Sequence, residues 1–160
     1  MPKLSAGLLL YRVRDGVVEV LIAHPGGPFW ARKDDGAWSI PKGEYAQGED
    51  PWAAALREFE EEVGSAPPAG PRIDLAQVKQ PGGKIVTAFA VAGDLDLTNA
   101  QSNTFELEWP RGSGRMRTFP EVDRVEWFPV AQARGKLLKG QLALLDQLIA
   151  DPGLAGLREG

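Results

Sequence analysis

Hydrophobic and polar residues alternate along the first part of the chain in the pattern of β-strands. Two such runs, residues 4–13 and 17–24, flank Asp15 and Gly16, a dipeptide typical of a tight hairpin turn. Further strands are predicted at residues 38–40, 73–79, 84–92, 105–109 and 124–128, and a long loop at residues 25–36. The pattern therefore predicts a protein rich in short strands.

Helical periodicity appears in two segments. Asp50 and Pro51 are typical of a helix start, and Gly64 of a helix end, so we expect a helix from residue 51 to about residue 63. A terminal amphipathic helix is predicted at residues 137–149, with apolar Leu138, Leu142, Leu145 and Ile149 facing the core. Strands mixed with a few helices indicate an α/β or α+β fold, which we expect to form one domain over residues 1–160.

Composition narrows the function classes. The chain has 160 residues, 43% of them hydrophobic and 25% charged, as in globular proteins. Its net charge of -4 argues against a non-specific nucleic-acid binder, so nucleic acid is an unlikely partner. With no cysteine, disulfides and thiolate chemistry are excluded. We expect a cytoplasmic protein, because the N-terminus shows no signal peptide and no apolar run is long enough to cross a membrane.

Three glutamates share one face of the predicted helix. At about 100° per residue, Glu58, Glu61 and Glu62 fall within an arc of roughly 100°. Like charges at these spacings each destabilise an isolated helix by roughly 0.2–0.5 kcal/mol. They also lie near the C-terminal end, where the helix dipole disfavours carboxylates. A divalent cation such as Mg²⁺ would remove this conflict; the alternative is a solvated acidic face.

The segment around these glutamates carries a resemblance to a known family. Its residues read Gly43-x5-Glu49-x7-Arg57-Glu58-Phe59-x-Glu61-Glu62-x-Gly64. This pattern resembles the signature of the Nudix hydrolases, and we call residues 43–65 the box. Ser65 stands where the family usually has an apolar residue. Residues 38–42 and 121–128 are also similar to family strands. The resemblance implies an α/β/α sandwich with a mixed β-sheet.

The resemblance also implies roles for the box residues. Glu58, Glu61 and Glu62, together with the carbonyl of Lys42, are expected to hold Mg²⁺ or Mn²⁺ as cofactor. Arg57, which lies beside Glu61 at i+4, is expected to tether one carboxylate, with Glu49 as structural support. Gly43 is expected to allow a tight backbone turn.

A further glutamate beyond the box often completes the site in this family. Glu121 is the candidate for the general base, with Glu106, Glu108 and Asp123 as rivals. An ordinary surface position remains the alternative for Glu121.

Substrate-binding residues are less well defined by the sequence. We expect Lys42, Trp38, Lys84 and His24 to contact substrate; Lys79, Trp30 and Trp109 are weaker candidates for phosphate or base binding. The alternatives are a histidine hydrogen-bonded at a strand end, solvated lysines and aromatic side chains buried in the core. Three arginines at positions 111, 115 and 117 belong to a predicted specificity loop at residues 99–118 and either meet a polyphosphate or are solvated.

The predicted reaction is Mg²⁺-dependent hydrolysis of a phosphoanhydride bond in a small nucleotide. Residues 38–43 resemble the same segment in members acting on nucleoside triphosphates or dinucleoside polyphosphates. ADP-ribose or nucleotide-sugar hydrolysis is an alternative, as is a non-catalytic nucleotide-sensing module. The sequence does not indicate an oligomeric state.

Overall fold

The computed structural model describes residues 3–160, so the first two residues of the predicted domain lie outside it. In chain order the elements are β1 (Leu4–Arg14), β2 (Val17–Pro25), β3 (Lys42–Glu44), α1 (Pro51–Val63), β4 (Arg72–Asp74), β5 (Val78–Lys79), β6 (Ile85–Ala92), β7 (Thr104–Glu108), β8 (Met116–Pro120), β9 (Val122–Pro129), α2 (Val130–Lys136) and α3 (Leu142–Ile149). The Asp15-Gly16 turn between β1 and β2 has positive φ angles of 53° and 77° at its two residues. This confirms the predicted hairpin.

Most strands form one mixed sheet in the order β4-β6-β1-β2-β9. β1 runs parallel to β6 and antiparallel to its other partners. Its second half pairs with β2, whereas its first half pairs with β3. The central strand therefore divides its pairing between two neighbours, and the box begins at Gly43 within β3.

Two hydrophobic clusters cover the two faces of this sheet. Leu8 and Leu10 of β1 pack on one face with Phe59 of α1. Leu9 packs on the other face with residues of α2 and α3, including Leu145. Since alternate residues of a strand point to opposite faces, β1 is buried on both. Helices thus sandwich a mixed sheet, which confirms the predicted fold class.

α1 has the bounds that the sequence predicts. The Asp50 carboxylate accepts a hydrogen bond from the Ala53 amide at 3.1 Å and caps the helix. Gly64 ends it in the left-handed conformation at φ 91°. Phe59 and Val63 are buried against the sheet, so the polar face of α1 is directed away from the core. None of the helices in residues 3–160 combines the length and apolar character needed to span a bilayer.

The predicted terminal helix is wrong in its first part. A 3₁₀ turn at Lys139–Gln141 precedes α3, which begins only at Leu142. The buried side chains of α3 are Leu144, Leu145 and Leu148, so the predicted inward face is rotated. Gln141 accounts for the break, because its buried side chain accepts a hydrogen bond from the Ile40 amide at 2.9 Å.

Three strand predictions also need correction. Residues 38–40 make isolated bridges to Ala23 and Leu137, and the strand begins at Lys42, after Pro41. The strand predicted at residues 73–79 is split into β4 and β5 around buried Leu75. β8 was missed altogether, because its residues lack the apolar alternation of a buried strand and pair only with β7.

Replacing Gly64 should test the helix end. An added Cβ would lie 2.5 Å from the Gln101 carbonyl oxygen and would also strain the left-handed backbone. Gly48→Ala is the matched control, since Gly48 has φ 94° and no atom within 4 Å of an added Cβ. We expect Gly48→Ala to lower the free energy of unfolding by about 1 kcal/mol, and Gly64→Ala by at least about 1 kcal/mol more. Urea denaturation measures both; equal losses would contradict the close contact.

Candidate active site

The glutamates of α1 line a cavity of about 510 Å³, which we call the box pocket. Its other walls come from the ends of β1, β3 and β6 and from the segments that flank the β7–β8 hairpin. The lining residues are Ser5, Lys42, Gly43, Glu44, Glu58, Glu61, Glu62, Lys84, Asn103, Thr104 and Glu121. The structure therefore brings together the three box glutamates, both leading lysine candidates and Glu121.

β3 approaches α1 closely because Gly43 has no side chain. A Cβ at this position would lie 1.9 Å from Glu58 Oε2 and 2.1 Å from Glu58 Cδ. Gly43 lies in β3 and is not among the glycines with positive φ. The position needs glycine for space, since the Glu58 carboxylate occupies the volume of the missing side chain.

Glu62 lines the box pocket where α1 approaches β3. The Lys42 backbone amide donates a hydrogen bond to Glu62 Oε1 at 3.3 Å. Burial raises the pKa of Glu62 to about 8; the Lys42 amide and ammonium oppose this rise, and the charges of Glu58 and Glu121 add to it. Burial and neighbouring carboxylates thus disfavour a negative charge at Glu62 in the protein alone.

Glu58 is subject to the same two effects. Burial raises the pKa of Glu58, and the charge of Glu61 raises it further, whereas Arg57 lowers it. The Arg57 guanidinium lies 3.3 Å from Glu58 Oε1, and its shorter contact is with Glu49. Arg57 therefore tethers Glu58, the neighbouring carboxylate, and not Glu61 one turn away. Its contact with Glu49 agrees with the support expected from that residue.

Two lysines form a cationic wall of the box pocket. Within residues 3–160, no carboxylate oxygen lies within 4.0 Å of the Lys42 ammonium, whereas Lys84 lies 3.9 Å from Glu44. Burial lowers the pKa of Lys42, and the charge of Lys84 lowers it further, although nearby glutamates oppose the effect. An anion in the pocket would relieve this repulsion. Lys79 does not line the pocket.

Glu121 lies at the box pocket, whereas its rivals Glu106, Glu108 and Asp123 do not. Glu121 lines the box pocket, and its backbone is fixed by a hydrogen bond from its amide to the Asn103 carbonyl at 2.7 Å. Glu106 and Glu108 are exposed on β7 and do not line the pocket. Asp123 lies 2.7 Å from His24 Nδ1 and is engaged there. Only Glu121 of the four combines exposure with a position facing the box.

Two predicted substrate contacts are corrected by burial. His24 is fully buried; its Nδ1 contacts Asp123 and its Nε2 lies 2.5 Å from the Lys33 carbonyl oxygen. Trp38 is 1% exposed, and its indole donates a hydrogen bond to Asp34 at 2.7 Å. Neither residue lines the box pocket. Both side chains instead anchor the loop at residues 25–36 to the sheet, away from the box pocket.

The remaining candidates lie outside the box pocket. Trp109 packs edge-on against Phe29 of the long loop, with ring centroids 5.4 Å apart, and Trp30 contacts Lys33. The three arginines of the predicted specificity loop are exposed and do not line the box pocket. Sequence reasoning missed four lining residues, Ser5, Glu44, Asn103 and Thr104. Only the pairing of β1 with β3, which the sequence pattern did not indicate, brings Ser5 to the pocket.

Glu58, Glu61 and Glu62 form an acidic wall of the box pocket, which has the chemistry of a divalent cation site. No three acidic or histidine side chains in residues 3–160 stand close enough together to enclose a metal ion. The Arg57 guanidinium holds Glu58, and the Lys42 amide holds Glu62. The donor set still fits Mg²⁺, which prefers carboxylate oxygens and tolerates few protein ligands.

Two curated relatives match part of the chain. An RNA pyrophosphohydrolase of Rhodospirillum rubrum is 48% identical over 66 residues, which are 40% of this chain and 39% of that protein. An asymmetrical bis(5'-nucleosyl)-tetraphosphatase of Caenorhabditis elegans is 40% identical over 59 residues, 37% of this chain and 38% of that protein. The matched segments thus span about two fifths of each relative.

Solved structures and a family model match far more of the chain. A Caenorhabditis elegans Ap4A hydrolase superposes with a TM-score of 0.64 at 22% identity, over 96% of this chain and 99% of that one. The NUDIX domain of Shewanella oneidensis NrtR, complexed with ADP ribose, superposes with a TM-score of 0.62 at 18% identity, over 92% of this chain and 86% of that one. At such low identities, the superpositions show only that the fold is shared. The NUDIX domain model matches residues 1–148, and the chain therefore belongs to the Nudix hydrolase family.

Proposed function

We propose that this protein is a Mg²⁺-dependent pyrophosphohydrolase that acts on nucleoside triphosphates or dinucleoside polyphosphates. One observation carries the proposal: the box pocket is lined both by an acidic wall, Glu58, Glu61 and Glu62, and by a cationic wall, Lys42 and Lys84. A polyphosphate with its divalent cation presents the complementary charges. Mn²⁺ is the alternative cofactor.

The acidic wall would hold the cation and the cationic wall the phosphate chain. We assign Glu58, Glu61 and Glu62 as metal ligands, with the Lys42 carbonyl as a fourth. A bound divalent cation neutralises phosphate charge and makes water a stronger nucleophile. Arg57 keeps the Glu58 carboxylate directed at the pocket through its contact at 3.3 Å. Lys42 and Lys84 orient the phosphates with their ammonium groups.

Glu121 is the proposed general base. It reaches the pocket from the segment between β8 and β9, opposite the helix that carries the box glutamates. It is exposed, whereas Glu62 is only half-exposed, so Glu121 can pass a proton on to solvent. In this scheme the Glu121 carboxylate accepts the proton of the attacking water.

The substrate class draws support from the relatives' names. Both denote hydrolysis within a phosphate chain, in RNA for one and in a dinucleoside tetraphosphate for the other. The net charge of -4 disfavours long stretches of RNA as a partner and is compatible with a small nucleotide or a 5' end. ADP-ribose hydrolysis stays the second candidate, and the NrtR domain, which shares the fold, is complexed with ADP ribose.

Neutralising one box glutamate should abolish turnover. We expect Glu62→Gln to lower kcat at least about 100-fold with Mg²⁺, because the substitution keeps the shape of the side chain and removes a charge that the cation needs. Phosphate release is measured on a panel of nucleoside triphosphates, dinucleoside polyphosphates, 5'-triphosphorylated RNA, ADP-ribose and nucleotide sugars. The substrate that wild type prefers identifies the class.

Glu60→Gln is the matched control for this experiment. Glu60 is exposed on the same helix and does not line the box pocket, so its kcat should equal that of wild type. Equal losses in both variants would refute the assignment of the box glutamates. Nucleotide binding by wild type without turnover of any panel member would favour a sensing module.

Replacing the proposed base should separate proton transfer from metal binding. We expect Glu121→Gln to lower kcat roughly 10²–10⁴-fold while the concentration of Mg²⁺ for half-maximal activity stays unchanged. Glu106→Gln, on the outward face of β7, should behave as wild type. A normal kcat in Glu121→Gln would show that another group acts as the general base.

Gly43→Ala should show whether space beside Glu58 matters to function. The added methyl would displace the Glu58 carboxylate, so we expect a roughly 10- to 100-fold weaker apparent affinity for Mg²⁺. Mg²⁺ titrations of activity measure the change, and circular dichroism checks the fold. Gly135→Ala, with no atom within 4 Å of its added Cβ, is the control. An unaltered Mg²⁺ dependence in Gly43→Ala would contradict a ligand role for Glu58.

A further inference from the structure

Ser5 is the one buried side chain in residues 3–160 whose polar atom has no hydrogen-bond partner. It lies in β1, is fully buried, and lines the box pocket. A buried hydroxyl without a partner costs stability, and such groups are rare in native proteins. The reaction proposed above gives Ser5 no task, so its unpaired hydroxyl needs another explanation.

Strand register assigns Ser5 to the cationic wall. Ser5 is directly opposite Glu44 in β3, and Gly7 is directly opposite Lys42. Because residues opposite each other share a face, the side chains of Ser5, Glu44 and Lys42 lie on one side of this ribbon. A Cβ on Gly7 would lie 2.8 Å from Lys42 Cβ, so glycine there leaves room for the lysine.

The cationic wall therefore combines positive charge with an unused hydrogen-bond donor. Lys42 has no ion-pair partner within 4.0 Å among the described residues, and Lys84 has only a distant contact at 3.9 Å with Glu44. A phosphate group supplies both missing interactions, negative charge for the lysines and an acceptor oxygen for the hydroxyl. A neutral sugar or base would satisfy the hydroxyl alone.

We propose that Ser5 is a substrate-binding residue whose hydroxyl, with Lys42 and Lys84, recognises the terminal phosphate group of a polyphosphate. The inference rests on the proposed function for the identity of the anion as substrate, whereas the anion subsite itself stands on the geometry. It predicts a preference for chains that end in an unesterified phosphate or pyrophosphate. Substrates whose phosphates are all bridged lack the group that Ser5 would contact.

The test compares the binding of inorganic pyrophosphate to wild type and Ser5→Ala by calorimetry, with and without Mg²⁺. We expect Ser5→Ala to weaken binding roughly 10- to 100-fold, as for loss of a hydrogen bond to a charged group. Its melting temperature without ligand should stay the same or rise by roughly 2–4 °C, because the unpaired hydroxyl is gone. A general loss of folding would instead lower it.

Ser39→Ala is the matched control, with the opposite signature. The Ser39 hydroxyl donates to the Ile40 carbonyl at 2.8 Å and accepts from Gln141 at 2.9 Å. This variant should melt at a lower temperature and bind pyrophosphate as wild type does. Unchanged pyrophosphate binding by Ser5→Ala would overturn the inference.

The KM values separate this inference from the proposed function. For a nucleoside triphosphate, Ser5→Ala should raise KM more than it lowers kcat, whereas KM for any bridged substrate should not change. If wild type hydrolyses no nucleotide yet binds pyrophosphate through Ser5, the anion subsite stands and the proposed function fails. If wild type is active but Ser5→Ala has normal KM and pyrophosphate affinity, the proposed function stands and the anion subsite at Ser5 fails.

Discussion

The site depends on the close approach of β3 to α1. The Glu58 carboxylate occupies the space that a side chain on Gly43 would fill, and Glu62 accepts a hydrogen bond from the neighbouring amide of Lys42. This contact fixes two carboxylates relative to the backbone that precedes the helix. It also brings Lys42 and Ser5 to the same pocket, since β3 pairs with β1 beside them. A small change in the distance between β3 and α1 would therefore disturb both walls of the pocket.

The same approach creates electrostatic stress that the folded protein alone does not relieve. Burial and neighbouring charges raise the pKa of Glu62 and Glu58 and lower the pKa of Lys42, so carboxylates and ammonium alike are disfavoured in their charged forms. An unpaired buried hydroxyl adds a further cost at Ser5. Shifted pKa values and unpaired polar groups of this kind are concentrated at functional sites, where a ligand supplies the missing partners.

The sequence predicted the elements whose signals are local. The hairpin at Asp15-Gly16 and the bounds of α1 follow from turn and capping residues, and helical spacing alone put the three glutamates on one face. Long-range contacts decided the rest. Nothing local shows that Trp38 and His24 are buried beneath the long loop, or that Gln141 interrupts the terminal helix by bonding to Ile40. Ser5 looks like any strand residue until its pairing with β3 is known.

The predicted roles of the glutamates, of Glu121 and of the lysines stay predictions, as does a single domain over residues 1–160. The most direct test is the anomalous scattering of Mn²⁺ in crystals of the protein grown with that ion. The account predicts a peak within about 2.0–2.3 Å of oxygens from at least two of Glu58, Glu61 and Glu62. A Mn²⁺ peak elsewhere, with these carboxylates still held by Arg57 and Lys42 alone, would contradict it.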